Sequence, residues 1–271
     1  MATFTHNDLQ VEYEEFGEGE PVVLVHGGIV GAYYWKPLVD EMLKGAKRRI
    51  ITYNRRGFGE SSPGTEPVTL VREAEDLGHL LSSSGLRRAH IVGHSYGGVI
   101  SIILAMDRPE MVGSLTLMEP ALVCLIPSAG TFAAMAQQLG EIAAAEGPEA
   151  SIDFFLRSVS GPDYRKYQDP AWWDRILADA SSGRIDGGDI FEWSPSPDRL
   201  KRITMPVLAV LGGDSHTVTP WFDEGHALVQ TWFPQTEEYV LPGATHALHN
   251  ANPGDMATAL NDFLGRHPLS T

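Results

Sequence analysis

The chain has 271 residues, which is long enough for one large domain with a substantial hydrophobic core. It carries 20 basic against 35 acidic residues, a net charge of −15, which argues against nucleic acid or an anionic membrane as a partner. The single cysteine, Cys124, excludes an internal disulfide and a cysteine-based metal site. Residues 1–10 have no basic region followed by an apolar run, and no apolar run is long enough to span a membrane. We therefore expect a cytoplasmic protein, with the choice between monomer and homodimer open.

Strand and helix patterns alternate from the beginning of the chain. Residues 4–16 predict an antiparallel hairpin at a sheet edge, because two strand-like pieces flank the turn formers Asn7 and Asp8. The continuous apolar run 21–25 predicts a strand that is buried on both faces, as in a parallel sheet. Residues 33–44 predict a helix.

The alternation continues through the first half and returns near the end of the chain. The patterns predict further strands at residues 49–53, 89–92, 114–118, 206–211 and 238–241, and helices at residues 69–83, 96–107 and 256–263. This order is typical of a doubly wound, mostly parallel sheet, here of about eight strands.

One segment interrupts this order. Residues 121–199 have a mainly helical pattern, contain no convincing strand and are rich in aromatic side chains. We predict that they form a helical cap inserted into a core domain made of residues 1–120 and 200–271. Ligands of such sheets bind at the carboxyl ends of the strands, which is the edge that a cap would cover.

Residues 91–99 read Ile-Val-Gly-His-Ser-Tyr-Gly-Gly-Val and place Ser95 between a strand and a helix. This is the G-x-S-x-G pattern of a nucleophile elbow. Such a sharp turn brings neighbouring backbone too close for a Cβ atom, and glycines at positions 93 and 97 remove that clash. The pattern predicts that Ser95 Oγ stands above the sheet beside a helix N-terminus, where a developing anion is favoured.

Together with the His26-Gly27-Gly28 strand end and the turn at residues 54–61, this unit resembles the α/β-hydrolase family. The resemblance covers nearly the whole chain and implies an α/β-hydrolase fold, a serine nucleophile, and neither cofactor nor metal. It also implies two backbone donors for the oxyanion: the N–H groups of Gly28 and of Tyr96, the residue after the nucleophile.

A neutral serine needs a general base, and that base needs a third group to orient it. In the family the base follows the last strand, where His246 stands in the sequence Leu-Pro-Gly-Ala-Thr-His. The resemblance therefore assigns the base to His246 rather than to His249.

The acidic member is open between two residues. The family's usual position is the loop after the seventh strand, which contains Asp214, but counting along that loop puts the aspartate position on Ser215 or on His216. Some branches of the family take the acid from the end of the sixth strand, where Glu119 stands. We expect Glu119 first and Asp214 as the alternative, because a carboxylate at the end of an apolar strand needs a partner.

The sequence favours a serine hydrolase that cleaves a carboxylic ester or lactone with an apolar body through an acyl-enzyme. We expect aromatic side chains to line the substrate pocket: Tyr33, Trp35, Phe132, Phe155, Trp172 and Trp193.

One alternative is hydrolysis of a C–C bond in a diketone-like acid, which would need cationic groups for the substrate carboxylate. The cap offers five candidates: Arg157, Arg165, Lys166, Arg175 and Arg184. The sequence is also compatible with a perhydrolase or cofactor-free oxygenase, and with a non-catalytic binding or ring-forming protein.

Overall fold

The computed structural model describes residues 2–6, 9–65, 67–181 and 188–269. Within them, eight strands form one sheet in the order β1-β2-β4-β3-β5-β6-β7-β8. The strands are β1 (Ala2–His6), β2 (Leu9–Phe16), β3 (Glu20–Val25), β4 (Arg48–Tyr53), β5 (Ala89–His94), β6 (Val112–Met118), β7 (Val207–Gly212) and β8 (Thr236–Leu241).

The sheet is mixed at one edge and parallel elsewhere. Strand β2 pairs antiparallel with β1 and with β4, and every other pair is parallel. The predicted hairpin at the start of the chain and the mostly parallel, doubly wound sheet are both confirmed. The parallel strands are almost entirely buried at the centre, which explains their continuous apolar runs.

Helices cover both faces of this sheet. The helices are α1 (Lys36–Gly45), α2 (Leu70–Ser83), α3 (Tyr96–Asp107), α4 (Ala129–Glu146), α5 (Pro148–Ser160), α6 (Pro170–Ser181), α7 (Pro197–Leu200), α8 (Trp221–Trp232), α9 (Leu248–Ala251) and α10 (Pro253–Arg266). Helices α1 and α10 pack together on one face, where Leu38 and Phe263 are fully buried. Helices α2 and α3 cover the other face through side chains such as Leu77 and Val99.

The helix predicted over residues 33–44 begins differently in the structure. Residues Ala32–Trp35 form a 3₁₀ turn, and the α-helix α1 starts at Lys36. Pro37 explains this start, because a proline fits the first turn of a helix, where its missing N–H has no partner to lose.

Helices α4 to α7 lie between β6 and β7, where the cap is predicted, and the described residues of that segment form no strand. Carboxylates of the segment bind the core: Asp179 accepts a hydrogen bond from the backbone N–H of Gly59, and Asp189 accepts one from that of Leu70. The division at residues 121 and 199 is still a prediction. Among the described residues, no helix is long and apolar enough to cross a membrane.

Candidate active site

Ser95 lies in a strained turn between β5 and α3. Its φ is 53° and its ψ is −120°, a backbone conformation that non-glycine residues rarely adopt. A Cβ atom at Gly93 would lie 2.5 Å from the carbonyl oxygen of Gly97, and one at Gly97 would lie 2.3 Å from that of Val25. These close approaches show why the turn requires glycine at both positions.

Strain is concentrated around this turn. Among the described residues, the non-glycine residues with positive φ are Ile29, Ser95 and Glu119. Ile29 follows Gly28 in the loop after β3, and Glu119 follows the last residue of β6. Backbone strain of this kind persists where the surrounding structure enforces it, and it is typical of functional sites.

Glu119 and His246 are joined by a buried hydrogen bond. Their atoms Oε2 and Nδ1 lie 2.7 Å apart, and Glu119 is 1% exposed. The other carboxylate oxygen, Oε1, accepts hydrogen bonds from the backbone N–H of Gly212 at 2.8 Å and from the hydroxyl of Ser215 at 2.5 Å. The structure therefore gives the carboxylate three partners, one of which fixes the orientation of the imidazole.

Asp214, the alternative acid, is exposed. Its backbone N–H donates to the carbonyl of Ala244, and its own carbonyl accepts from Thr217. Of the two carboxylates, it is Glu119 that the structure brings to His246.

The environment of the pair has opposite effects on its two members. Burial lowers the pKa of His246 and so favours the neutral imidazole that a general base must be. Burial raises the pKa of Glu119, whereas the hydrogen bonds from Ser215 and Gly212 act in the opposite direction and favour the anion. The ring of Phe222 stacks on His246 with centroids 4.0 Å apart and planes inclined by 8°, which fixes the imidazole plane.

Ser95 and His246 line the same cavity, which measures about 30 Å³. The core contributes residues from the loop after β3 and from the loop around His246, and helix α5 closes the opposite side. The wall from the core includes Gly28, Val30, Tyr34, His94 and Ala247, and the wall from α5 consists of Phe155, Leu156, Val159 and Ser160.

The two residues expected to stabilise the oxyanion lie close to Ser95, and their role stays a prediction. Gly28 lines the cavity beside Ser95, and Tyr96 is the first residue of α3, where backbone N–H groups have no partner within the helix. The loop before Gly28 is held from behind by Arg55, which donates to the carbonyl oxygen of Gly27 at 2.9 Å and forms a fully buried ion pair with Glu73 at 2.7 Å.

Of the six aromatic residues predicted to line the pocket, Phe155 lies on the cavity wall. The other five have different neighbours. Trp35 is fully buried against His249, Phe132 packs edge-on against Trp221, and Trp193 packs edge-on against Trp232. Tyr33 contacts Trp172, which also contacts Tyr34.

These five residues are not part of the wall of this cavity, and their contact with a substrate stays a prediction. A large aromatic side chain between helices is buried by its own neighbours, so its residue type does not indicate that it faces a ligand. Two of the wall residues that the sequence analysis missed, Leu156 and Val159, lie three positions apart and so share one face of α5. That spacing was the available signal, although it also fits a helix packed into the cap.

We find no group of three or more His, Cys, Asp or Glu side chains that could hold a metal ion within the part of the chain that the structure describes.

The alternating order of strands and helices, with a strained serine at a strand-to-helix turn and an acid–histidine pair beside it, defines an α/β-hydrolase fold. The model of the alpha/beta hydrolase family matches residues 22–259, and the chain belongs to that family. The fold that the sequence predicted is therefore confirmed.

Individual relatives are more distant. A putative carbamate hydrolase, RutD, of Azorhizobium caulinodans is 34% identical over 112 residues, which are 41% of this chain and only 42% of that relative. The structure of a thermophilic esterase from Thermogutta terrifontis superposes with a TM-score of 0.78 at 24% identity and covers 96% of this chain and 95% of the esterase. The structure of an enol-lactonase from Burkholderia xenovorans LB400 superposes with a TM-score of 0.74 at 22% identity and covers 97% of this chain and 100% of the lactonase. At these identities the structures establish the fold alone.

Proposed function

We propose that this protein is a cofactor-free serine hydrolase that cleaves a carboxylic ester or lactone with an apolar body. The observation that carries the proposal is the Glu119–His246 hydrogen bond, whose imidazole lines one cavity with the strained Ser95. The esterase and the enol-lactonase that share the fold support this class of substrate.

In the proposed mechanism, Ser95 Oγ attacks the carbonyl carbon of the substrate while His246 takes the hydroxyl proton. The N–H groups of Gly28 and Tyr96 stabilise the oxyanion, and Glu119 stabilises the imidazolium. The imidazolium returns its proton to the leaving alkoxide, which departs as an alcohol. Water, activated by the same imidazole, then hydrolyses the acyl-enzyme to the carboxylic acid and free Ser95.

The charges near the cavity favour an uncharged substrate over a diketone-like acid. Four of the five cationic cap residues have partners of their own: Arg157 and Arg165 pair with Asp153, Lys166 pairs with Asp163, and Arg175 lies over the ring of Tyr33. Arg184 lies outside the described residues. No lysine or arginine is among the described residues that line the cavity, so a substrate carboxylate would have no counter-charge there.

Labelling with a fluorophosphonate tests the proposal directly. We expect stoichiometric modification of Ser95 in the wild type, none in Ser95→Ala, and unchanged labelling in Ser158→Ala, a matched serine substitution on the cap helix α5. A panel of esters, lactones and vinylogous diketones, with peroxide-dependent activity measured alongside, then identifies the reaction. Folded wild-type protein that resists the probe and cleaves no ester or lactone would favour the non-catalytic binding protein instead.

A further inference from the structure

His94, the residue before the nucleophile, is buried at the centre of the site. It is the last residue of β5, is 5% exposed and contributes to the cavity wall. The proposed reaction assigns it no step. Its imidazole is nevertheless surrounded by the groups that the reaction needs.

The ring of His94 is bonded to the loop that carries the base. Its Nε2 lies 2.8 Å from the backbone carbonyl oxygen of His246. A carbonyl oxygen only accepts hydrogen bonds, so Nε2 must carry the proton and donate it. This contact connects two residues that are far apart in sequence, the base and the neighbour of the nucleophile.

The same ring fills the space between the loop that carries His246, helix α9 and the loop that precedes Gly28. Its centroid lies 4.6 Å from that of His246 and 4.8 Å from that of His249. On the other side it lies against the loop that precedes Gly28, because a Cβ atom at Gly27 would be only 2.9 Å from Nδ1 of His94. The imidazole therefore lies between the loop that carries His246, here called the histidine loop, and the loop of Gly27 and Gly28.

The environment also keeps this ring uncharged. Burial, with the neighbouring His246 as a second and smaller cause, lowers the pKa of His94 to about 3. A neutral His94 does not oppose the positive charge that develops on His246 when it accepts the proton of Ser95. Nδ1 has no hydrogen-bond partner among the described residues, so the Nε2 donor is the polar contact through which the ring acts.

We propose that His94 is a positioning residue: by donating from Nε2 to the backbone carbonyl of His246, it holds the histidine loop at a fixed distance from Ser95. The proposal rests on the hydrolase function proposed above. A displacement of about 1 Å at a reacting group can lower a rate about 100-fold, so a single backbone contact can matter in this way.

Substitution of His94 by glutamine or by asparagine distinguishes a role of this hydrogen bond from a role of the side chain in packing alone. The side-chain nitrogen of glutamine can occupy the place of Nε2 in His94, whereas that of asparagine reaches only as far as Nδ1. We expect His94→Gln to retain kcat within about threefold. We expect His94→Asn to lose about 10- to 100-fold in kcat, with KM changed by less than about threefold.

The readouts are kcat and KM for a short ester, the rate of fluorophosphonate labelling, and Tm as the control for folding. Wild-type kcat in His94→Asn would overturn the positioning role, and so would an equal loss in both folded variants. If the wild type is active and these outcomes occur, only the role of His94 fails. If the wild type cleaves no ester at all, the proposed function fails.

The hydrogen bond can also be tested without any substitution. In folded wild-type protein labelled with ¹⁵N-histidine, the ring nitrogens of His94 should report a neutral imidazole protonated at Nε2. A neutral ring protonated at Nδ1 would overturn the proposal, because it could not donate to the carbonyl of His246.

Discussion

Ser215 donates a hydrogen bond of 2.5 Å from its hydroxyl to Oε1 of Glu119. From the sequence, the family's usual aspartate position falls on Ser215 or on His216. In the structure, Ser215 donates to a carboxylate from the end of the neighbouring strand. The segment after β6, which begins with Glu119, and the loop after β7, which contains Ser215, meet because the two strands are paired in register, with Met118 opposite Val210. A carboxylate from either strand end can therefore approach the same imidazole.

Substitution of the two carboxylates should give very different results. Glu119→Gln leaves the size of the side chain but removes the charge that stabilises the imidazolium, and we expect kcat to fall by about 10³- to 10⁴-fold. Asp214→Asn, the matched change at an exposed position, should alter kcat by less than about twofold. Steady-state kinetics on the best ester of the panel check this, and the reverse ranking would assign the acid to Asp214.

Ser215→Ala should move the acidic limb of the pH profile. The Ser215 hydroxyl lowers the pKa of Glu119, so its loss raises that pKa and the carboxylate becomes protonated at a higher pH. A hydrogen bond to a charged group contributes about 1.5–3 kcal/mol, so the acidic limb of kcat/KM should shift to higher pH by about one to two units.

Thr217→Ala, which removes a hydroxyl bonded to the backbone of the same loop, is the matched control and should leave the profile unchanged. A profile that does not move in Ser215→Ala would mean that the hydrogen bond does not stabilise the anion.

The sequence predicted the elements with strict backbone requirements better than it predicted the pocket. Gly93 and Gly97 mark the turn because no other residue fits between the strand and its neighbours. The position of Glu119 was also visible, since an isolated carboxylate at the end of an apolar strand needs a partner.

The sequence predicted the pocket less well. An aromatic residue buried between the helices of the cap and one that faces a ligand have the same residue type and the same apolar surroundings, so the sequence does not distinguish them. Phe155 and Trp193 are both aromatic residues of the segment between β6 and β7, yet one lines the cavity and the other packs against Trp232. The role of Phe222 depends on where α8 crosses the histidine loop, a tertiary contact that no local pattern encodes.

The size of the cavity predicts a preference for short acyl groups. A water molecule needs about 10–15 Å³ of such space, so the cavity of about 30 Å³ holds two or three non-hydrogen atoms beside Ser95. In a series of 4-nitrophenyl esters, we expect kcat/KM to fall by tenfold or more once the acyl chain exceeds about four carbons.

Val159 should set part of this limit, because its side chain closes the cavity from α5. Val159→Ala should shift the optimum to longer chains, whereas Val71→Ala, the same change at a position that is 44% exposed, should not. Equal activity on acetate and octanoate esters in the wild type would contradict the prediction, since the longer chain could not be accommodated.

Buried histidines should make the protein unstable in acid. Burial lowers the pKa of five of them below the ordinary value of 6.5: His26, His90, His94, His246 and His249. Below pH 6.5 these histidines bind protons in the unfolded chain, whereas in the folded protein they stay neutral to a lower pH. The stability they contribute is therefore complete above pH 6.5 and is lost as the pH falls toward the folded pKa, by up to about 1.4 kcal/mol per pH unit for each ring.

His90 allows this effect to be isolated, because it lies near the start of β5, at the opposite end of the strand from Ser95, and its pKa is lowered to about 4. Its Nδ1 lies 2.8 Å from the hydroxyl of Ser114, a contact that the amide of His90→Asn can reproduce without titrating. Between pH 6 and pH 4.5, the free energy of unfolding in urea should therefore decrease less steeply in His90→Asn than in the wild type, by about 1 kcal/mol per pH unit. His216→Asn, at an exposed position, should keep the wild-type slope. Identical slopes in all three proteins would mean that His90 takes up its proton as readily in the folded state as in the unfolded one.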